Sequence, residues 1–238
     1  MLSREGIMAL VFTGERMIPG ISPKRIEDDH LARYRFATRY VYNRYILDIA
    51  CGTGYGTRML LDGGATYVDG VDIDEEAISF AQETYGASQI SYYTEDICSF
   101  NHGRKYDVVV SFETIEHVPD YSCTLSNLYN LLHDRGILII SSPNRLITSP
   151  TATSFKDKPD NTFHTHEFSI PELTAILAEH RFTVRRNNIF GQRQQLFFGN
   201  NYITKIYNYT FNPMFRADAE VKPITRMSPR YFIIVAEK

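Results

Sequence analysis

The residues best suited to chemistry begin with a glycine-rich segment after the first predicted strand. The segment reads Asp48-Ile49-Ala50-Cys51-Gly52-Thr53-Gly54-Tyr55-Gly56. Glycines let the backbone approach a ligand without Cβ collisions and present amide donors, while the Asp48 carboxylate can accept a hydrogen bond from a ligand ammonium. A tight strand-to-helix turn without a ligand is the simpler structural interpretation. The pattern favours a ligand-binding turn.

The glycine spacing disfavours dinucleotide binding by the same turn. A nicotinamide-type fingerprint requires Gly-x-Gly-x-x-Gly. Residue 57 is threonine where that spacing needs its third glycine, and the chain has no Tyr-x-x-x-Lys pair. A nicotinamide-dependent sugar dehydrogenase or epimerase is therefore the weaker alternative.

Acidic residues follow the next two predicted strands. Asp72 ends the second strand, where a carboxylate can accept both hydroxyls of a ribose lying across the strand tips. Glu95 and Asp96 follow the third strand and suit an exocyclic adenine amine, with Ile97 against the ring. The structural alternatives are a helix cap for Asp72 and an exposed acidic turn for the other two.

Short apolar runs alternate with amphipathic stretches from about Tyr45 onward, which is typical of a parallel α/β sheet. Strands are predicted at Tyr45–Ile49, Tyr67–Asp72, Ile90–Tyr93, Tyr106–Phe112, Ile137–Ser141, Phe182–Ile189 and Tyr231–Val235. Hairpin-like pairing of the last two gives a seven-stranded, mostly parallel sheet with one antiparallel member. The fold class is therefore α/β, with helices on both faces of the sheet.

The two ends of the chain do not follow this alternation. A helix is predicted over residues 27–42 as an N-terminal cap, with its aromatic side chains inward and its arginines outward. The long connections 148–168 and 191–229 are typical of lids or binding loops. One domain is predicted, with the cap over residues 1–44, the core and acceptor loop over 45–190, and a lid insertion with the final strand over 191–238.

Composition and charge disfavour several classes of function. A chain of 238 residues with 43% hydrophobic content can bury a full core. The formal net charge of -3 and the scattered lysines and arginines disfavour nucleic acid as a partner. Three widely spaced cysteines fit neither a disulfide framework nor a paired-cysteine zinc site. Because neither a secretory pattern nor a bilayer-spanning apolar run is found, we expect a cytoplasmic protein without membrane insertion.

The order of these motifs resembles that of class I methyltransferases that use S-adenosylmethionine, over residues 45–142. The flanking segments 12–20, 30–37 and 163–168 resemble bacterial methyltransferases of polysaccharide and glycan biosynthesis. The resemblance implies a Rossmann-like methyltransferase fold, with Tyr34 or Arg35 closing over the methionine end of the cofactor. The predicted cofactor contacts are Tyr34, Arg35, Asp48, Ala50, Gly52, Gly54, Asp72, Ile73, Asp96, Ile97 and Ser111.

A polar turn, Ser111-Phe112-Glu113-Thr114-Ile115-Glu116-His117, follows the fourth predicted strand. Open α/β sheets bind ligands at this edge, so the acceptor is expected there. Methyl transfer is an in-line displacement that needs an aligned acceptor and, for a hydroxyl, a base for its proton. His117 is the predicted base, with Glu116 and His164 as further catalytic candidates. A structural role for His117 as a cap of the following turn is the alternative.

The same turn resembles the metal-binding pattern of ubiquinone-type O-methyltransferases. Glu113, Glu116 and His117 are the candidate ligands for a divalent metal, and a solvated turn without metal is the favoured alternative. A second cluster, His164, His166 and Glu167, lines the acceptor pocket or supplies the base, unless it is merely polar loop surface.

The preferred function is O-methylation of a small molecule, a sugar or sugar-bearing intermediate such as a nucleotide sugar, with S-adenosylhomocysteine as the product. Methylation of a phenol or quinone precursor and N-methylation of an amino sugar are alternatives. A cofactor-binding module without catalysis is the alternative from another class. The sequence leaves a homodimer open.

Overall fold

The computed structural model describes residues 16–196 and 218–238, together with residues 203, 206, 207 and 210. Outside the described residues lie residues 12–15 of the N-terminal segment and, in the predicted lid insertion, residues 197–202, 204, 205, 208, 209 and 211–217. In the described part of the chain, we find no helix with both the length and the apolar character needed to cross a membrane.

The described helices and strands follow the predicted alternation. The helices are α1 (Lys24–Ala37), α2 (Tyr55–Asp62), α3 (Glu75–Tyr85), α4 (Tyr121–Leu131), α5 (Arg145–Thr148) and α6 (Ile170–Glu179). The strands are β1 (Tyr45–Ile49), β2 (Tyr67–Asp72), β3 (Ile90–Thr94), β4 (Tyr106–Ser111), β5 (Leu132–Pro143), β6 (Thr183–Gln195), β7 (Lys222–Pro223) and β8 (Ser228–Glu237).

One mixed sheet organises the fold, with the strand order β3-β2-β1-β4-β5-β8-β6-β7. β1 pairs in parallel with β2 and β4, and β8 runs antiparallel to β5 and β6. The predicted mostly parallel sheet with an antiparallel final strand is therefore confirmed. The two-residue β7 adds an eighth strand to the seven predicted. The strand order reverses between β1 and β4, and open α/β sheets bind ligands in the crevice beyond such a reversal.

The antiparallel part of the sheet is longer than predicted. β5 continues to Pro143 because β8 pairs with it as far as Tyr231. β6 continues to Gln195 because β8 begins at Ser228 and pairs with it there. The predicted lid segment 191–229 therefore contributes both of its ends to the sheet.

The sheet buries apolar side chains on both faces, as predicted. Ile46 and Leu47, consecutive in β1, belong to two separate buried clusters because side chains alternate along a strand. The first cluster includes side chains of α1, α2 and α3, and the second includes side chains of α4 and α6. Helices on both sides thus hold the strand tips of β1 and β4 in place.

Helix α1 corrects two sequence predictions. It begins three residues earlier than predicted and ends at Ala37, followed by a short 3-10 turn. Tyr34 is buried as predicted, but Arg33 is only 1% exposed, whereas outward arginines are predicted. A guanidinium N–H of Arg33 donates to Oε1 of Gln192 at 2.8 Å. Because β6 supplies this buried partner, Arg33 faces the sheet rather than solvent.

Candidate active site

The turn after β1 is held in a left-handed backbone conformation at three positions. The φ angles are +53° at Ala50, +55° at Gly52 and +81° at Gly54. A Cβ atom on Gly54 would lie 2.5 Å from Cβ of Ala81 and 2.7 Å from Oη of Tyr92. Gly54, predicted as a cofactor contact, therefore permits the turn to pack against α3 and β3. Its neighbours Ala50 and Gly52 line the crevice.

Asp48 lies behind the turn with no exposed surface. Its carboxylate accepts hydrogen bonds from the hydroxyls of Tyr34 at 3.0 Å and Thr57 at 2.7 Å. Burial raises the pKa of Asp48 to about 7, although these two hydrogen bonds oppose the shift. Both hydroxyls engage the carboxylate, Asp48 is not among the residues that line the crevice, and its contact with a ligand ammonium stays a prediction. Asp48 joins α1 to the first turn of α2.

Asp72 and Gly52 lie together, as predicted. Oδ2 of Asp72 accepts from the backbone N–H of Gly52 at 2.8 Å, and Oδ1 accepts from that of Asp74 at 3.0 Å. The cap of α3 is Asp74, whose side chain accepts from the N–H of Ala77. The alternative that Asp72 is the helix cap is therefore wrong. Asp72 stands at the tip of β2 facing the crevice.

The crevice consists of two adjoining cavities. The first, here called the strand-tip cavity, has a volume of about 280 Å³ and includes Asp72, Ile73, Asp96 and Ile97 in its wall. The second, the cap-side cavity, has a volume of about 270 Å³ and includes Arg16, Met17, His30, Tyr34, Tyr55 and Phe112. Four residues line both cavities, namely Ala50, Asp72, Glu113 and His117. The two cavities thus meet at residues that lie at or beyond the ends of β1, β2 and β4.

The strand-tip cavity combines apolar walls with acidic acceptors. Ile73, which is 72% exposed, and Ile97 supply apolar surface. Oδ1 of Asp96 accepts from the backbone N–H of Cys98 at 2.7 Å, which orients the carboxylate at the tip of β3. This slot suits a planar heteroaromatic ring whose exocyclic amine meets an acid.

Tyr34 forms a wall of the cap-side cavity, whereas Arg35 does not face it. The Tyr34 ring lies directly over the α2 backbone, since a Cβ on Gly56 would fall 2.0 Å from its Cζ. The Arg35 side chain is 52% exposed and pairs with Glu220 at 3.6 Å. Successive helical residues point about 100° apart, so Tyr34 and Arg35 cannot share one face. The prediction of Arg35 as a cofactor contact is wrong in this structure.

Sequence reasoning missed Arg16 and His30 as lining residues. Nη2 of Arg16 donates to Oδ2 of Asp74 at 2.6 Å, which places its guanidinium beside Gly52. His30 Nδ1 lies 3.0 Å from the Tyr55 hydroxyl, and burial lowers the pKa of His30 well below its usual range. The neutral imidazole is therefore the favoured form. In the sequence, Arg16 is the only charged residue of the otherwise apolar segment 16–20, and this pattern could have indicated a buried or ligand-facing arginine.

The turn after β4 places its first two polar residues differently: Ser111 is buried in the sheet, and Glu113 lies beside β5 and α1. Ser111 lies inside the sheet and is 1% exposed, so the structure does not support its prediction as a cofactor contact. Glu113 adopts a φ of +49°, and its Oε1 accepts from the Ser141 hydroxyl at 2.7 Å. Nη1 of Arg33 lies 4.0 Å from the same oxygen. These partners hold Glu113 toward β5 and α1.

The predicted metal set is corrected by this arrangement. Glu113 is not part of the group of potential ligands that converges in the described residues. That group consists of Glu116, His117 and His164, with one ligand atom from each within 4.8 Å of the others. Two of the predicted ligands therefore come together with a histidine from the loop before α6.

Glu116 is buried, with 1% of its surface exposed. Burial raises its pKa well above the usual range, and the nearby negative charge of Glu113 adds to this effect. Its backbone carbonyl accepts from the N–H groups of Thr165 at 2.8 Å and His166 at 3.1 Å. The loop that carries His164 is therefore fastened to the turn after β4.

His117 and His164 face each other, with ring centroids 4.9 Å apart. Nδ1 of His117 lies 3.2 Å from the carbonyl oxygen of Phe163, and Nδ1 of His164 lies 2.7 Å from Oε1 of Glu167. Burial opposes ionisation of Glu167, but hydrogen bonds from His164 and Thr148 lower its pKa overall. The predicted 164–167 cluster is thus an ordered part of the site. In contrast, His166 meets the carbonyl oxygen of Phe155 at 3.4 Å.

Comparison with known proteins decides what kind of domain this is. The family described as "Methyltransferase domain" matches residues 42–208. This chain belongs to the methyltransferase domain family. A protein of Mycolicibacterium smegmatis named probable S-adenosylmethionine-dependent methyltransferase is 33% identical over 177 residues, covering 74% of this chain and 66% of that protein. The chain thus spans just under two thirds of the length of this relative.

Two further comparisons bear on the methyltransferase domain. A solved S-adenosylmethionine-dependent methyltransferase from Mesorhizobium loti shares the fold with a TM-score of 0.62 at 15% identity, covering 88% of this chain and 100% of that one. A ubiquinone biosynthesis O-methyltransferase of Actinobacillus pleuropneumoniae is 32% identical over 116 residues, covering 45% of this chain and 49% of that protein. The predicted class I fold and its cofactor, S-adenosylmethionine, are confirmed for this domain.

The crevice of the methyltransferase domain fits this cofactor. Asp72 offers carboxylate oxygens at the ribose position, each with lone pairs beyond those used by backbone donors. Ile73 and Ile97 flank the slot for the adenine ring, and Asp96 lies at its edge. Arg16, in the cap-side cavity, supplies a cation for the carboxylate of the methionine end. These residues would hold the cofactor with its methyl group near the wall shared by the two cavities.

Proposed function

We propose that the protein transfers the methyl group of S-adenosylmethionine to a hydroxyl oxygen of a small molecule, with a sugar or glycan intermediate as the preferred acceptor class. The observation that carries the proposal is the position of His117 between the two cavities. This residue lines both the strand-tip cavity and the cap-side cavity, as do Glu113 and Asp72. An acceptor in the cap-side cavity would meet the methyl group at this wall.

The residues at the wall suit deprotonation and alignment. When bound, the cofactor supplies an electrophilic methyl group on a cationic sulfur that leaves as S-adenosylhomocysteine. The protein must hold the acceptor oxygen in line with the breaking methyl–sulfur bond and take up the hydroxyl proton. His117 is the proposed proton acceptor, because its Nδ1 donates to the Phe163 carbonyl and the lone pair of the neutral ring then lies on Nε2.

The polar groups of the cap-side cavity support a sugar as acceptor. His30, Tyr55 and Glu113 bring an imidazole, a phenol and a carboxylate to the lining of this cavity. A polyol, with several hydroxyls that both donate and accept, can pair with such a set. The resemblance of the flanking segments to glycan-pathway methyltransferases points to the same class.

A phenol or quinone precursor is the second candidate acceptor. Tyr34 packs edge-on against Tyr55 and Phe112, with ring centroids 5.4 and 5.1 Å apart, and all three line the cap-side cavity. An aromatic acceptor could extend this cluster. The partial match to a ubiquinone biosynthesis O-methyltransferase supports the same alternative.

Mass spectrometry with a deuterated-methyl cofactor tests the proposal. The protein is incubated with panels of nucleotide sugars, free glycans, amino sugars and catechols, and both products are quantified. A labelled sugar with matching S-adenosylhomocysteine supports the preferred class, and a labelled catechol supports the second. Saturable cofactor binding without product from any panel would instead favour a non-catalytic module, and binding of NAD in place of S-adenosylmethionine would overturn the proposal.

A further inference from the structure

We infer that Glu116, His117 and His164 form a divalent-cation site at the acceptor side of the crevice. One ligand atom from each of these residues lies within 4.8 Å of the others. Of these three residues, His117 lines both cavities, so the site lies beside the crevice. Two of the ligands lie in the turn after β4 and the third in the loop before α6. A local sequence pattern does not show that these two segments meet.

The Glu116 carboxylate is the observation that points to a ligand. It is 1% exposed, and neither of its oxygens has a hydrogen-bond partner in the described part of the chain. A buried carboxylate without partners costs several kcal/mol unless a proton or a cation neutralises it. Its surroundings include Glu113 and Glu167, which add negative charge, and Arg33, which lies against Glu113. A cation between Glu116 and the two imidazoles offsets this cost.

Hydrogen bonds at Nδ1 assign ligation of both imidazoles to Nε2. Nδ1 of His164 donates to the Glu167 carboxylate, and Nδ1 of His117 donates to a backbone carbonyl. Metal-binding histidines characteristically donate their second N–H to a carboxylate or carbonyl, which sets the tautomer and raises ligand basicity. Glu167 is itself held by the Thr148 hydroxyl. His164 and Glu167 therefore form the carboxylate–imidazole pair expected behind a metal.

The loop is already fastened in the geometry that ligation requires. The backbone N–H groups of Thr165 and His166 donate to the backbone carbonyl of Glu116. The Thr165 hydroxyl donates to the backbone carbonyl of His117. Ligands about 2.1 Å from one cation lie roughly 3 to 4 Å apart, so small side-chain rotations close the present spacing. The Asn161 amide, which donates to Nε2 of His164 at 2.9 Å, must turn away. A coordination bond to the cation would replace this hydrogen bond.

The donor set selects the kind of cation. Two imidazole nitrogens and one carboxylate suit Zn²⁺, Fe²⁺, Co²⁺ or Ni²⁺, whereas Mg²⁺ prefers oxygen ligands alone. Three protein ligands leave coordination positions for water or substrate. With the cation bound, Nε2 of His117 would be a ligand and could not accept a proton. The cation would instead hold and acidify the acceptor hydroxyl, whose proton would pass to solvent water as the methyl group arrives. This role rests on the proposed function.

Cobalt titration of tag-free, chelator-treated full-length protein tests the site. We expect one Co²⁺ per chain, with a visible d–d absorption band, and displacement by Zn²⁺ but not by an equal concentration of Mg²⁺. Glu116→Gln, which keeps the side-chain volume, and His164→Ala should each weaken binding at least about tenfold. Glu167→Gln should weaken it by a similar factor through His164. The matched control His133→Ala removes an exposed imidazole outside the site and should leave binding unchanged.

Several results would overturn the inference. These are the absence of saturable Co²⁺ binding, binding that survives both Glu116→Gln and His164→Ala, and equal loss in His133→Ala. Thermal unfolding of each variant separates lost ligands from lost folding. Calorimetry with S-adenosylmethionine keeps the two proposals distinct. Cofactor binding and methyl transfer by metal-free protein would overturn the cation site alone, and Co²⁺ binding without any methyl transfer would overturn the proposed function alone.

Discussion

Gly52 and Asp72 are joined directly, since the backbone N–H of Gly52 donates to Oδ2 of Asp72 at 2.8 Å. This bond ties the turn after β1 to the tip of β2. The other carboxylate oxygen holds the N–H of Asp74 at the start of α3. One side chain therefore orders the glycine turn and lines the strand-tip cavity.

Replacing Asp72 with alanine should weaken S-adenosylmethionine binding by about 1 to 3 kcal/mol, because hydrogen bonds to a charged acceptor are lost. Isothermal titration calorimetry measures the change. Asp62→Ala is the matched control, since this exposed carboxylate pairs only with Arg58 among the bonds described on α2. Unchanged affinity in Asp72→Ala would remove Asp72 from the cofactor site.

His117→Ala should slow methyl transfer roughly a hundredfold if His117 takes the acceptor proton. Cofactor affinity should change little, because the proposed nucleoside contacts are made by other side chains of the strand-tip cavity, namely Asp72, Ile73, Asp96 and Ile97. Steady-state kinetics with the acceptor found in the labelled panels gives kcat, and His133→Ala serves as the control. Normal turnover in His117→Ala would transfer the role of base to His164.

Gly54→Ala should destabilise the protein more than Gly103→Ala does. Both glycines have positive φ, +81° and +74°, so both substitutions cost about 1 to 2 kcal/mol of backbone strain. Only the Gly54 Cβ meets neighbours, Ala81 and Tyr92, whereas Gly103 has nothing within 4 Å. Overpacking adds about 1 to 3 kcal/mol, and urea unfolding of the two variants measures the difference. Equal losses would contradict the packing role of Gly54.

Asp48→Asn should flatten the pH dependence of stability. The folded-state pKa of about 7 lies above the ordinary 3.8, so the folded state holds the proton more tightly. The contribution of Asp48 to stability is therefore full below about pH 4 and is lost as pH rises through about 7, by up to about 4 kcal/mol.

Asparagine keeps the shape and does not ionise, and the Tyr34 and Thr57 hydroxyls can rotate to accept from its amide. Urea unfolding across this pH range compares the free energies of unfolding of the two proteins. A parallel decline in both would assign the pH dependence to other groups.

Local pattern alone determined much of the fold. The bounds of β1 and β2 match the prediction because a buried strand shows as an apolar run closed by glycine or acid. The meeting of Gly52 with Asp72 also follows, because parallel strands end at one edge of the sheet. For the same reason, His117 was predictable as a residue of the crevice.

Tertiary structure decided which side chains face the ligand. Asp48 is enclosed because Tyr34 reaches it from α1, and Glu113 is held at the wall of the crevice because the Ser141 hydroxyl of β5 donates to its carboxylate. His164 joins Glu116 only because the loop before α6 folds onto the turn after β4. The position of a residue at the end of a strand can be predicted from the residues next to it in the sequence. The orientation of a buried polar side chain follows from partners that sequence spacing does not reveal, since burial makes their hydrogen bonds obligatory.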